Sequence, residues 1–589
     1  ITLDLPDRQA PFSTLGFPAP LDAELPRGMV CFAPYTEGLA VPQDMEKFAG
    51  RTVGPAHDLP FMGVYDAERG DGYLLVLETP HDAQLKLQPV VGKDGKRRLA
   101  PQAVWLPQKK VFGQARKVRL EFVPSGGYVA IAKRYRAIAR RDGYLKTLAE
   151  KQKLRPNVAR LGGAPDVWAG DLAWAREAHR RGMEHCLLNY TSTRANMEEV
   201  NNLGWLTSRY DNYADLLEEK DPALWTNSKG SLDDVIVTAD GGLGKGWLTW
   251  DKKTQYYERS STTAVAAAKR YIPKDLESHP YLARFLDVTT ASTLYEDYHP
   301  TRGQNRVEDV ANRKALAEYV GGLGLVLGGE HGRAWAVPEF DYFEGMMSGN
   351  PFFSWPAGHL RKPENEQGEV SLEGIKPDYR TFGIGPAYRV PLWELVFHDC
   401  VVSYWYWGDS TDYLHDLDPS ITDRKDALNV LYGTPPMYWA DQRGFGRSTE
   451  AGWQRLMQSY RDTCRWHQAI FDRELLDHQT SPDKVVQRTT FAGGYEAVAN
   501  LGEQPREVTL GETRLLLPPN GFAARGPDFW LERRVSDGRT VSRIRSPRYA
   551  FVDGAGQPAS VTGLTTAGRC TVLVESPERI RVIAEEQPA

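Results

Sequence analysis

Short segments in which apolar and polar residues alternate, punctuated by Gly and Pro, fill the first stretch of the chain, among them 73–79, 85–89 and 118–123. Period-two spacing of that kind predicts half-buried strands and an antiparallel β-sandwich. From 128 to 153 the spacing turns helical and strongly basic and stops before Pro156, which predicts a linking helix and a boundary near 157. Beyond it, apolar runs alternate with amphipathic stretches. Strands are expected near 165–169, 185–190, 205–210, 283–288, 325–330, 335–341, 394–399 and 428–433, and eight such β/α units predict a (β/α)8 TIM-like barrel with insertions. After a long helix around 449–475 the alternation returns at 485–490, 495–500, 507–510, 513–517 and 571–575, a second β-sandwich. The expected architecture is therefore multidomain: an N-terminal β-sandwich with its linking helix at 1–157, a catalytic barrel at 158–475 and a C-terminal β-sandwich at 476–589. The glycine-rich stretch 241–246 lacks the Lys-Ser/Thr ending of a phosphate loop and the dinucleotide spacing, and reads as a flexible loop.

Charge and composition narrow the function classes. With 72 Lys plus Arg against 77 Asp plus Glu, the net charge of −5 gives no basic surface for nucleic acid. No apolar window approaches the ~18 residues of a membrane span. Five dispersed cysteines show neither a disulfide framework nor metal-finger spacing, so no metal site and no cofactor is expected. The chain begins at Ile1 rather than Met; a secreted or periplasmic location is the expectation, with a cytoplasmic one left open. The aromatic content changes the picture most: 16 Trp, 27 Tyr and 20 Phe supply many flat side chains.

In a β/α barrel the chemistry sits at the C-terminal strand ends. Two expected strands close on acids, Asp287 after Phe285-Leu and Glu330 after Leu325-Val-Leu-Gly-Gly. A carboxyl pair on adjacent strand ends is what glycoside hydrolysis needs, one as nucleophile or base and the other as acid at the leaving oxygen. The competing reading makes both acids loop residues or helix caps. Gly328 and Gly329 before Glu330 would allow close approach of a ligand or simply of backbone. Tyr210 and Asp211, Asp341, and His398 and Asp399 close or follow other expected strands and could bind hydroxyls, as could Asp409 beside the rings of the aromatic run after the seventh. The run Ser403-Tyr-Trp-Tyr-Trp-Gly-Asp-Ser410 offers Trp407 as a pyranose platform, and Trp439 offers a further wall; for each of these a structural role competes.

The order of several segments resembles one family. Gly127-Tyr-Val-Ala-Ile-Ala-Lys-Arg-Tyr-Arg136, Gly143-Tyr-Leu-Lys-Thr-Leu148, Phe285-Leu-Asp-Val288, Gly328-Gly-Glu-His331, Val390-Pro-Leu-Trp-Glu-Leu-Val-Phe-His-Asp399 and Tyr404-Trp-Tyr-Trp-Gly-Asp409 together resemble the endo-α-N-acetylgalactosaminidases and their related exo-acting α-N-acetylgalactosaminidases. The resemblance implies a retaining α-glycosidase acting on a carbohydrate or glycoconjugate, with Asp287 as nucleophile, Glu330 as acid/base and Asp211 holding sugar hydroxyls. It also implies that calcium is possible, although no EF-hand spacing is present. One departure is an extended loop at 295–304. The open alternatives are a glycoside hydrolase of other sugar or stereochemistry on the same barrel, and a non-catalytic carbohydrate-binding protein.

Overall fold

The computed structural model describes residues 1–589 apart from 22, 35–36, 221–227, 250–251, 349–376, 442–443, 446–448, 562, 577 and 586–589. By contact density the chain divides into two units, residues 1–155 with 208–344, and residues 156–207 with 345–589.

The first unit opens with two antiparallel sheets. One has six strands, in the order Thr2–Leu3, Arg116–Val123, Gly72–Leu77, Phe61–Asp66, Gly28–Phe32, Leu39–Pro42. The other has four, built on the Ala83–Val91 and Arg97–Trp105 hairpin, which packs on Phe61–Asp66 and Gly72–Leu77. In the hairpin Leu85, Leu87, Ala103 and Trp105 are fully buried while their neighbours are not, so alternation marks a sheet with one wet face. Phe61–Asp66 is buried throughout, because helix Gly127–Arg141 covers its other side with Ile131, Ala132, Tyr135, Ile138 and Ala139 and the Phe61 and Tyr135 rings meet at 4.7 Å. The single linking helix expected over 128–153 is two. Gly143, at φ +79°, ends the first, and Thr147 with Glu150 forms a capping box that starts Leu148–Leu154.

The same unit carries parallel strands. Leu206–Asn212, of which residues 208–212 lie in this unit, pairs with Ala283–Asp287, that strand with Val326–Glu330, and that in turn with Tyr342–Glu344. Helices Ser261–Ser278 and Arg306–Gly322 fill the connections, the second opened by a capping box of Asn305 and Glu308. Between the strand ending at Asn212 and the first of these helices, an insertion forms its own four-stranded sheet, Lys229–Gly230, Asp215–Glu218, Gln255–Glu258, Lys245–Leu248. The stretch 241–246 is thus a turn feeding a strand, closed by a Val237–Leu243 bridge.

In the second unit, strand Asp166–Trp168 pairs in parallel with Leu187–Asn189 on one side and Met437–Trp439 on the other, and Val402–Ser403 is a further two-residue strand. Asp171 and Thr193 cap the intervening helices, and Val167, Trp174, Leu188, Trp205, Tyr438 and Tyr460 share one core. From Leu475 onward nine antiparallel strands follow one another in a single sheet. The Arg506–Leu510 and Thr513–Leu517 hairpin packs on it through Val508, Leu510, Leu515 and Leu517 against Val498. One dominant sheet with hairpin covers thus stands where two matched sheets were expected.

Three expected strands move. The 335–341 stretch contains Pro338 and forms a turn at Ala334–Ala336; the strand is Tyr342–Glu344. The 394–399 run is the buried helix Leu392–Phe397, since a short apolar run reads the same in a buried helix and a buried strand. The 428–433 run ends helix Pro419–Tyr432 at Gly433, φ +73°, and the strand follows at Met437–Trp439. All five cysteines are buried and free. Among the described residues no helix is long and apolar enough to cross a membrane.

Gly328 is a packing requirement, because a Cβ there would overlap the ring of fully buried Tyr342. Gly328→Ala is expected to lower stability by about 3 kcal/mol. Gly322→Ala, in an exposed helix position with open space around it, is expected to be neutral or to gain about 0.5 kcal/mol. Thermal melting of the two variants checks this pair of outcomes.

Candidate active site

The parallel register brings three acids and an amide into one row. Asn212 pairs with Asp287, Leu286 with Gly329 so that Asp287 and Glu330 stand side by side one residue later, and Glu330 with Glu344. In-register residues of parallel strands share a face, and each of these four closes its strand. Asp287 and Glu330 are 7% and 5% exposed.

The Oδ2 of Asp287 accepts a short hydrogen bond from the Tyr210 hydroxyl and a long one, 3.5 Å, from the Asn212 amide. Its Oδ1 is buried and receives no hydrogen bond. The Val288 N–H donates to Glu330 Oε2 at 3.2 Å. Burial, and then the Glu330 charge beside it, push the Asp287 carboxyl well above the ordinary carboxylate range, with Tyr210 donating against that shift. Like charges oppose each other in so dry a place, so the surroundings disfavour ionisation of Asp287 beside Glu330. Burial first, and the Asp287 charge second, hold the Tyr210 hydroxyl in its protonated, donating form.

The backbone turns sharply after each acid. Val288 and His331 lie at φ +62° and +50°, a left-handed conformation that a β-branched residue adopts only at a cost of about 1 to 3 kcal/mol. Buried arginines hold these turns. Arg313 donates to Thr289 O, Ser292 Oγ and Thr293 O. Arg333 donates to Thr290 O and Ala291 O and pairs with Asp58 of the N-terminal sandwich, while the Thr290 hydroxyl donates to Glu330 O at 2.5 Å. The loops after both strands are thus tied to each other and to Asp58.

The insertion adds two more acids. Asp215 accepts from the Asn212 amide at 2.9 Å and from the indole N–H of Trp247 at 3.2 Å; Trp247 stacks on Tyr256 at 4.3 Å and is 45% exposed. Glu258 stands directly opposite Asp215 across an antiparallel pair. Burial raises Asp215 to about 6 and Glu258 to about 7, the Asp215 charge adding to the second. Among the described residues no group of three or more His, Cys, Asp or Glu side chains is arranged to hold a metal ion.

Other expected site residues are engaged elsewhere. Asp211 lies on the opposite face of its strand from Tyr210 and Asn212, fully buried between Arg284 and the Tyr213 hydroxyl, each at 3.1 Å; strand periodicity turns it away from the Asp287 face. Asp341 precedes its strand instead of closing it, bound by Arg155 at 2.6 Å and by the Leu327 N–H, and Glu344 is the acid that closes that strand. His398 follows a helix, its ring nitrogens on the carbonyls of Arg473 and Gly433, and Asp399 follows it in the same turn. Asp409 is buried against Lys425 at 2.5 Å and the Tyr379 hydroxyl at 2.6 Å. Of the aromatic run, Tyr404, Trp405 and Tyr406 are core residues. Trp407 is half-buried and stacks on Trp168 at 6.0 Å, and Trp439, which closes its strand, donates to the Trp407 carbonyl. Asn212, Asp215, Glu258 and Glu344 went unread in the sequence. The strand-closing position was the available signal for Asn212 and Glu344; nothing local marked the other two.

Because Glu258 is held near 7 against an ordinary 4.5, the folded protein keeps a proton that the unfolded chain has released. Its contribution is most favourable below about pH 4.5 and is lost as pH rises through 7. Glu258→Gln is therefore expected to melt with wild type at pH 4.5 and above it at pH 8, by up to about 3 kcal/mol. A gap independent of pH would contradict this.

Comparison with known proteins adds the following. The model of a family described as glycosyl hydrolases related to the GH101 family, GH129, matches residues 188–490. No curated protein matches the chain. Among solved structures, α-N-acetylgalactosaminidase NagBb from Bifidobacterium bifidum in its Gal-NHAc-DNJ complex is similar over 86% of this chain and 83% of that one, at 19% identity and a TM-score of 0.64. Its GalNAc complex is similar over 87% and 83%, at 20% identity and a TM-score of 0.63. At such identities the likeness is one of fold.

Proposed function

Since the family match spans more than half of its residues, the chain belongs to the glycosyl hydrolases of family GH129, related to GH101, and from that premise we propose that it is a retaining, exo-acting α-glycosidase on α-linked N-acetylgalactosamine or galactose-type sugars. A closed (β/α)8 barrel at 158–475, a β-sandwich at 1–157 and action on a glycoconjugate outside the cytoplasm belong to the same reading. One observation carries it: Asp287 and Glu330, both buried, close neighbouring parallel strands in register. Adjacent strand ends, about 4.8 Å apart in the sheet, bring two carboxyls close enough to flank one glycosidic bond, the arrangement a double displacement needs. The similar structure is named an α-N-acetylgalactosaminidase and was solved with GalNAc, which supports the sugar class.

Asp287 is the nucleophile. Its Oδ1 bonds to the anomeric carbon as the bond to the leaving oxygen breaks, and Glu330 gives its proton to that oxygen. In the second half Glu330 takes a proton from water, the water oxygen bonds to the anomeric carbon, and the Asp287 carboxylate departs. Two inversions return the α-anomer. The first step needs Asp287 charged; Tyr210 and Asn212, both donating to its Oδ2, favour that form against the opposing effect of burial. Trp407 and Trp439, with Trp168, supply flat faces suited to sugar stacking.

A panel of nitrophenyl α- and β-glycosides tests sugar and anomer together, with NMR of the first-formed product. Asp287→Ala and Glu330→Ala are each expected to lose about 10³-fold or more in kcat, and azide should restore the first with a β-glycosyl azide. Wild-type rates from Asp287→Ala, or an inverted first product, would overturn the mechanism. Sugar-dependent melting shifts without turnover would make the protein a binding protein instead.

A further inference from the structure

The side chain that touches Asp287 beside Tyr210 is itself fixed from behind. Asn212 Oδ1 accepts the backbone N–H groups of Ala214 and Asp215 at 3.0 and 2.9 Å. Those two donors identify Oδ1 and leave the amide nitrogen facing the carboxylates. That nitrogen donates to Asp215 Oδ2 at 2.9 Å and to Asp287 Oδ2 at 3.5 Å. Asp215 is 7% exposed, and among the described residues its contacts are the Asn212 amide, the Trp247 indole and, across the strand pair, another acid, Glu258, with no cation among them. A carboxylate kept at a few ångströms from a buried acid pair, with an amide bridging the gap, is costly for the fold, and its position lets it act on that pair.

We infer that Asp215 is a positioning residue for the reaction: it holds the Asn212 amide, which with Tyr210 fixes Oδ2 of Asp287 and leaves Oδ1 to attack, and its charge keeps the acid/base proton on the pair. The inference rests on Asp287 as nucleophile. The groups around this pair are Tyr210 and Asn212 on one neighbouring strand, Glu344 on the other, His331 after Glu330, Asp215 and Glu258 on the insertion, and, beyond Glu258, Tyr295, Asp309 and Arg313. Burial holds the Asp215 carboxyl up at about 6, so it gains its charge as pH rises through that value, and the charge raises the energy of taking a proton from the acids beside it.

The test is the pH dependence of kcat and KM for Asp215→Asn, an isosteric change that removes a buried charge, on the best substrate of the nitrophenyl panel. The expected result is kcat down about 10-fold with KM unchanged, the alkaline limb moved to lower pH by about 1 unit, and the acidic limb in place. Asn212→Asp, which keeps the Oδ1 acceptor of the turn and exchanges a donor for an acceptor, should move the acidic limb upward and lower kcat about 100-fold. Asp287→Ala is measured beside them: retained activity there overturns the nucleophile and this inference with it. Inactive Asp287→Ala together with an Asp215→Asn profile that overlays wild type overturns the role of Asp215 alone, as does an effect confined to KM or to melting temperature.

Discussion

Two carboxyls buried side by side at the ends of adjacent strands are the constraint around which the first unit is built. Asp287 and Glu330 repel each other when both are charged, and burial removes the water that would screen them. The surroundings answer in kind. Tyr210 and Asn212 donate to one oxygen of Asp287, the Val288 N–H donates to Glu330, and two buried arginines draw in the carbonyls of the loops that follow. Left-handed Val288 and His331 show that the chain bends hard to keep the pair where it is. The N-terminal sandwich takes part through Asp58, which meets Arg333, so a module far from the acids in sequence supports their loops.

Much of this was legible in the sequence because parallel strands announce their ends. Phe285-Leu-Asp and Leu-Gly-Gly-Glu330 each run from apolar strand to a single acid, and the structure sets both at strand termini in register. The third strand was legible only to within one residue. Asp211 draws the eye as the acid, yet with a period of two it is its neighbours, Tyr210 and Asn212, that face Asp287. The twin glycines before Glu330 likewise answer to packing: Gly328 makes room for Tyr342, and Gly329 for Phe340 and Thr290.

What the sequence hid has physical causes. The Leu392–Phe397 run and the end of Pro419–Tyr432 are helices buried on every side, and complete burial erases the periodicity that tells helix from strand. With the first of those elements misassigned, His398 was read as a strand-end residue, whereas its ring bonds to internal carbonyls; Asp409, expected beside sugar-stacking rings, is held in a buried ion pair. The aromatic run after Ser403 is mostly core, and only Trp407 reaches an aromatic group with Trp168 and Trp439. Asp215 and Glu258 come from separate strands of an insertion whose pairing no local pattern reveals.

The central claim is that Asp287 forms a bond to the sugar. The most direct measurement is mass spectrometry of peptides from enzyme inactivated with a 5-fluoro α-glycosyl fluoride of N-acetylgalactosamine or galactose. The account predicts one sugar on the peptide containing Asp287, at that carboxyl, and none in Asp287→Asn. Turnover of matched substrates by an enzyme that carries the label on Glu330 or any other residue, or that never acquires it, would contradict the account.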